Sequence, residues 1–354
     1  MNQCCYCFSN IPKNAKFCPK CGKERYTKRD DKQLAPGYVL VGRYTIGVVI
    51  GTGSFGITYR AFDTKFNSIV AVKEFFPERL AIRGSDLTTV IPSVETKEEF
   101  EYRKNRFFKE ATDLANFRSH KNIPSVYEFF TLNNTVYIVM EYLEGMTLRN
   151  YLNQEKTVDK DFAGYVFREV GNALIAMHEA GIIHRDVSPD NIFICSDKEL
   201  TVKLLDLGSA KLVNDKDGVI DLSVKDGYSP VEQYDASGVT DKSADVYSLA
   251  AVYYEMLTGQ RLMRATDRLP KDPIRPVSSY DKSIPKNVNK AVMKALSVKQ
   301  KDRYQNVNDF LNAASYTRKK RRMPKPLKII LIILAIPVSI FVTLAVALFI
   351  YVLI

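Results

Sequence analysis

"GIIHRDVSPDN", residues 181–191, carries the densest chemistry in the chain. An apolar run ends in His184, Arg185 and Asp186, and Asn191 follows the aspartate by five residues. A carboxylate and an amide on one loop are oxygen groups of the kind a hard cation takes. Just downstream, "KLLDLGSAK" (203–211) places Asp206 at the end of another apolar stretch, with a glycine two residues on. Upstream, Gly51-Thr-Gly53-Ser-Phe-Gly56 lies between "YTIGVVIG" and "ITYRAF", both of which read as strands. A dinucleotide fingerprint would have a helix after the glycines. Here a strand follows, so the glycines sit in a hairpin whose backbone can approach phosphates closely. Lys73 lies further on in "VAVKE", an alternating strand that turns the lysine toward apolar neighbours. Each feature alone is ordinary, since glycines make hairpin turns and single lysines usually face water. Together they form a constellation for a polyphosphate and a divalent metal.

In order and spacing these motifs resemble the protein kinase family over roughly residues 44–313. The resemblance implies an α+β, bilobal kinase fold: an N-lobe antiparallel sheet with one helix, then a mostly helical C-lobe. It implies ATP and Mg²⁺ as cofactors and protein substrates. Residue by residue, Gly51, Gly53 and Gly56 would cover the phosphates, with Ile50 and Thr58 against the adenine. Lys73 would hold the α- and β-phosphates, with Glu110 as its helix partner. The backbone of Glu141 and Leu143 in "MEYL" would meet the adenine edge. Asp186 would accept the proton of the substrate hydroxyl, and Asn191 and Asp206 would bind Mg²⁺. Glu232 would pair with Arg303, and Asp245 would support the catalytic loop from within. The activation segment offers Ser223, then Ser229, as candidate phosphosites, where a phosphate could pair with Arg185.

The departures matter equally. Leu207 and Thr58 stand where the family usually has Phe and Val, and both keep an apolar contact. A long insertion separates Lys73 from Glu110, which leaves Glu101 as the fallback partner. Insertions opening in this way, and "HRD-x-SPDN" itself, resemble those of bacterial serine/threonine kinases. Ser188 replaces the lysine that serine/threonine kinases usually carry two residues after the catalytic aspartate. Losing that cation should cost rate unless another group supplies the charge. The expectation is therefore a bacterial-type serine/threonine kinase, and the alternative is a pseudokinase scaffold that binds ATP.

The remaining chain adds two ends. Five of the six cysteines fall in the first 21 residues, and Cys4-x2-Cys7 and Cys18-x2-Cys21 form paired knuckles. Four thiolates close a tetrahedral structural site, so residues 1–25 are expected to be a zinc ribbon that the metal folds. Iron in a rubredoxin-like site is the minor alternative, and disulfides do not suit the expected compartment. Cys5 adjoins Cys4 and could compete as a ligand, while Cys195 in "NIFIC" reads as core. Residues 26–43 read as a linker. At the other end, 314–328 is a basic segment, and 329–354 holds 26 residues without a charge. As a helix that stretch would reach roughly 39 Å against about 30 Å of hydrocarbon, so it is expected to span a membrane despite Pro337. The basic segment would keep the ribbon and kinase in the cytoplasm. No apolar leader opens the chain, and no outward domain is expected. The formal charge of +11 sits at the ends: +5 in 1–32 and +7 in 317–328 leave −1 between them. That balance argues against a nucleic-acid-binding core. A homodimer through the span is possible, although no small-xxx-small glycine face supports it.

Overall fold

The computed structural model describes residues 3–25, 30–53, 55–155, 158–206, 211–212, 224–235 and 240–315. The expected membrane span, the basic segment beyond 315, Leu207 and Ser223 lie outside the described residues. Among the described residues, no helix is long and apolar enough to cross a membrane. The chain divides into two compact units, Met1–Leu143 and Glu144–Ile354.

The first unit is built on an antiparallel sheet in the order β1-β2-β3-β4-β8-β7. Its strands are β1 (Val39–Leu40), β2 (Tyr44–Gly53), β3 (Gly56–Asp63), β4 (Ser68–Phe75), β7 (Val126–Leu132) and β8 (Thr135–Glu141). The insertion after β4 forms a small hairpin of β5 (Ala81–Arg83) and β6 (Val90–Pro92) before α1 (Lys97–Ala115). Helix α1 repeats Phe100, Phe107, Ala111 and Leu114 on one face, and all four are buried. Phe100 and Phe107 each meet Phe75 of β4 at 5.4 Å between ring centroids. Aromatic pairs at this separation add to the burial of their area.

The stretch expected as a linker is attached to the sheet. Leu34 is buried and donates its N–H to the Tyr59 hydroxyl at 3.0 Å, and β1 pairs with β2. The cysteine knuckles are attached too. Each is a short hairpin, bridged at Gln3–Asn10 and at Phe17–Glu24, fourteen residues apart. Each closes with a left-handed residue after its second cysteine, Phe8 (φ 57°) and Gly22 (φ 69°). Glycine takes that conformation freely, whereas phenylalanine is strained in it. Phe8 is buried and stacks on Phe62 of β3 at 5.5 Å, a contact that offsets the strain. Next to it, Val48 of β2 donates its N–H to Cys5 O at 3.1 Å.

The second unit runs β9 (Gly145–Thr147), α2 (Leu148–Gln154), α3 (Lys160–Glu179), β10 (Ile182–Ile183), β11 (Ile192–Cys195), β12 (Val202–Leu204), β13 (Lys211–Leu212), α4 (Lys242–Thr258), α5 (Lys286–Ala295) and α6 (Val307–Ala313). Asp159 caps α3, accepting from the N–H groups of Asp161 and Phe162, and Asp241 caps α4. Such caps satisfy the orphan donors of a first turn. Helix α4 is buried on every side, as its apolar sequence demands, and ends at left-handed Gly259. It meets α3 through Phe167 and Tyr253, stacked at 4.3 Å. Cys195 is buried in β11, as core.

Candidate active site

In the first unit, the cross-strand register aligns Gly51, Thr58, Lys73 and Ile138 as neighbours across β2, β3, β4 and β8. Residues directly opposite share a sheet face. Lys73 Nζ pairs with Glu110 Oε1 of α1 at 3.3 Å and lies 5.2 Å from the Phe107 ring. The pair is well shielded, with 15% and 7% of the two side chains exposed. Glu101, the fallback, instead pairs with Lys104 at 2.7 Å.

The glycines separate into two kinds. A β-carbon at Gly56 would collide with Glu74 O of β4, so the hairpin itself requires glycine there. A β-carbon at Gly53 would meet nothing within 4 Å, and one at Gly51 only Thr58 Cβ at 4.0 Å. The protein's own packing leaves the space over Gly51 and Gly53 open, a condition that close phosphate approach requires. Ile50 is exposed beside them. At the end of β8, Glu141 N–H donates to Ser125 O at 2.9 Å and its carboxylate accepts from Ser125 N at 3.2 Å, fixing the strand that leads to Leu143.

Glu74, on the opposite face from Lys73, is the centre of a buried network that the sequence did not reveal. It accepts from the Tyr59 hydroxyl at 2.8 Å, the Tyr137 hydroxyl at 2.9 Å and two Arg83 nitrogens at 2.6 and 2.8 Å. Burial and the nearby Glu74 charge push the Tyr59 and Tyr137 hydroxyls far above their usual range, so both donate. Arg83 comes from β5 of the insertion, and it also donates to Lys32 O at 3.0 Å. The insertion thus clamps the residue next to Lys73.

In the second unit, Asp186 and Asn191 are locked together. Asn191 Nδ2 donates to Asp186 Oδ2 at 2.8 Å and to Asp186 O at 2.9 Å. That engages the amide nitrogen and leaves the Asn191 oxygen as a ligand atom of the kind Mg²⁺ takes. Leu205 N–H donates to Asn191 O at 2.7 Å, which brings exposed Asp206 (φ 60°) alongside the loop. Burial raises the Asp186 carboxyl above its ordinary value, and Asp206 adds to the rise, while Lys225, His184 and Asn191 oppose it.

The loop hangs from Asp245 of α4. That carboxylate accepts from His184 N at 2.9 Å, Arg185 N at 2.8 Å and His178 Nε2 at 2.7 Å. Its burial opposes the charge, yet these donors hold its carboxyl below the ordinary value. His184 completes the frame, accepting from Asp186 N at 3.2 Å and meeting Leu205 O at 3.1 Å. Arg185 bridges the two in a left-handed conformation, φ 67°. Arg303 and Glu232 form a bidentate pair at 2.6 and 2.9 Å. Ser229 is buried, and its hydroxyl accepts from Lys225 N at 2.9 Å, so its oxygen is engaged in a turn.

Apart from both groups, the sulfurs of Cys4, Cys7, Cys18 and Cys21 all lie within 4.8 Å of one another. Cys4–Cys21 and Cys7–Cys18 are each 3.6 Å apart. Four thiolates around one Zn²⁺ at about 2.3 Å need spacings of this order. Cys5 is buried outside the cluster, facing β2 through its carbonyl.

Residues 44–322 match the family of the protein kinase domain. A probable serine/threonine-protein kinase of Clostridium acetobutylicum is 30% identical over 286 residues, 79% of this chain and 40% of that protein. Serine/threonine-protein kinase PknB of Mycobacterium leprae is 31% identical over 280 residues, 75% of this chain and 41% of that one. This chain therefore spans about 40% of the length of these curated relatives. The solved structure titled "PpkA-294 apo form" superposes with a TM-score of 0.68 at 29% identity, covering 80% of this chain and all of that one. With the motifs in place and the family match extending over most of its length, the chain belongs to the protein kinase family.

Proposed function

We propose that the chain transfers the γ-phosphoryl group of ATP to serine or threonine hydroxyls of proteins, as a membrane-anchored, cytoplasm-facing signalling enzyme. The carrying observation is the Asp186–Asn191 hydrogen bond, suspended with its loop from buried Asp245. A loop held from the core keeps a carboxylate and an amide oxygen in fixed positions, and phosphoryl transfer is largely positioning and charge stabilisation. Bound ATP and Mg²⁺ would supply the phosphoryl group and the divalent charge. The residues fit them: Asn191 and Asp206 offer oxygen donors, Lys73 offers a cation held by Glu110, and Gly51 and Gly53 leave room for phosphates. Asp186 would orient the acceptor hydroxyl and take its proton.

The four-cysteine cluster supports structural zinc, because four thiolates leave no open position for chemistry. The uncharged stretch 329–354 supports a single span, with the basic segment before it on the cytoplasmic side. Ser188 favours one second reading, an ATP-binding scaffold with slow transfer. Labelled ATP, Mg²⁺ and a generic protein acceptor test both, with Asp186→Asn as control. Label on Ser/Thr that vanishes in the control supports the kinase. ATP binding without transfer above the control supports the scaffold.

A further inference from the structure

Ser188 leaves the catalytic loop without its usual cation, and its hydroxyl is buried with no hydrogen-bond partner among the described residues. A different lysine reaches the same loop. Lys225 Nζ lies 2.8 Å from Asp190 Oδ2, in the turn that Asn191 N–H closes on Ser188 O at 3.0 Å. Its backbone is fixed. Lys225 N–H donates to Ser229 Oγ, and Lys225 O accepts from Tyr228 N at 3.0 Å and Ser229 N at 2.9 Å. Gly227 completes this turn at φ 83°, packed so tightly that a β-carbon would lie 2.6 Å from Leu262 O. So firm a base delivers a long, cationic side chain to one place. Of the charges that favour ionised Asp186, Lys225 exerts the largest effect. Arg149 also approaches Asp190, at 3.9 Å, but its guanidinium is held by Glu255 at 2.8 Å and by the Tyr228 hydroxyl.

We propose that Lys225 supplies the phosphate-neutralising cation that Ser188 does not, so that the charge has moved from the catalytic loop to the turn before Tyr228. The inference rests on the kinase reading. In the step concerned, the acceptor oxygen forms a bond to the γ-phosphorus and the bond from that phosphorus to the β–γ bridging oxygen breaks. ADP departs with the bridging electron pair, and the hydroxyl proton passes to Asp186. The Lys225 ammonium balances charge on the moving group without exchanging a proton. Its tie to Asp190 is a half-exposed ion pair, with 31% and 42% of the side chains accessible, and such pairs are weak. A polyphosphate can therefore recruit the ammonium from it.

The test uses the full chain in detergent, with steady-state transfer, nucleotide binding and thermal melting measured for each variant. Lys225→Ala should lower kcat about 100-fold, the scale of losing one donor aimed at transition-state charge, with ATP binding and melting nearly unchanged. Asp190→Ala removes the ion pair but keeps the cation, and should cost less than about threefold on that account. Moving the charge back, Ser188→Lys with Lys225→Thr, should recover activity to within about tenfold of the parent. Equal losses in Lys225→Ala and Asp190→Ala, with no recovery in the relocated variant, would show a merely structural ion pair and overturn the inference. Parent activity unaffected by Lys225→Ala overturns it as well. A parent no more active than Asp186→Asn fails the kinase reading itself, a distinct result.

Discussion

Glu74 and Arg83 are joined by two hydrogen bonds, 2.6 and 2.8 Å long, with 0% of the Glu74 and 3% of the Arg83 side chain exposed. The pair fastens the insertion beneath the strand that carries Lys73. Removing one partner of such a pair strands a buried charge, at about 3–5 kcal/mol. Arg83→Met should therefore lose most of the first unit's stability in urea unfolding, whereas Glu74→Leu with Arg83→Met should recover much of it. Equal destabilisation by the single and double variants would contradict this.

The glycine hairpin yields a prediction that separates folding from binding. Gly56→Ala meets Glu74 O and should destabilise by about 1–3 kcal/mol, the ordinary cost of overpacking. Gly51→Ala and Gly53→Ala should melt like the parent and weaken ATP binding. Nucleotide titration beside thermal melting reads both effects. A glycine at 53 that proved necessary for folding would remove the ligand argument.

Asp186 gives a pH dependence whose sign is fixed. Burial raises its carboxyl, so the folded chain holds that proton to higher pH than the unfolded chain does. The stability this lends is present below the unfolded value and is lost as pH rises through the folded one. At neutral pH Asp186→Asn should therefore melt above the parent, with the gap closing in acid. The acidic limb of kcat/KM should sit above the ordinary aspartate value. A limb at or below that value would be the contrary result.

Asp245 behaves oppositely. Its three donors hold the carboxyl low, so the stability it contributes exists above the unfolded value and falls away as pH drops through the folded one. Asp245→Ala should cost about 3–5 kcal/mol and abolish transfer, because the backbone of His184 and Arg185 loses its acceptor. Wild-type-like transfer in a folded Asp245→Ala would break the link between core and loop.

Metal removal tests the proposed zinc ribbon. Chelation at neutral pH should unfold residues 3–25 and speed hydrogen exchange at the Val48 amide, which Cys5 O protects. Phe62→Ala, which removes the ring that Phe8 stacks on, should speed the same amide while the four thiolates still bind zinc. Unchanged exchange in both cases would mean that the ribbon's docking adds no protection.

Much of the site was legible because phosphate chemistry restricts the residue types it accepts. The roles of Lys73, Glu110, Asp186 and Asn191 came from the resemblance to the kinase family, and the expected Lys73–Glu110 pair forms despite the insertion between them. The insertion's own purpose was not legible. Arg83 and Glu74 meet through a strand face and a hairpin turn that no local period encodes. Lys225 was missed for a related reason: a lone lysine before a glycine turn reads as surface. Only the fold brings it within reach of Asp190, 35 residues away in sequence. The attachment of residues 30–40 was hidden because single contacts, such as Leu34 to Tyr59, leave no repeating pattern.

Gly47 has a consequence for the seating of the cysteine module. A β-carbon there would strike Cys5 O and sit 2.7 Å from the Phe8 ring and 2.8 Å from Arg60 O. One absent methyl group is thus the keyhole through which the cysteine module seats on the sheet. Glycine there serves two neighbours at once, the module through Cys5 O and Phe8 and the sheet's own β3 through Arg60 O, so the seat of the module is cut into the hairpin itself.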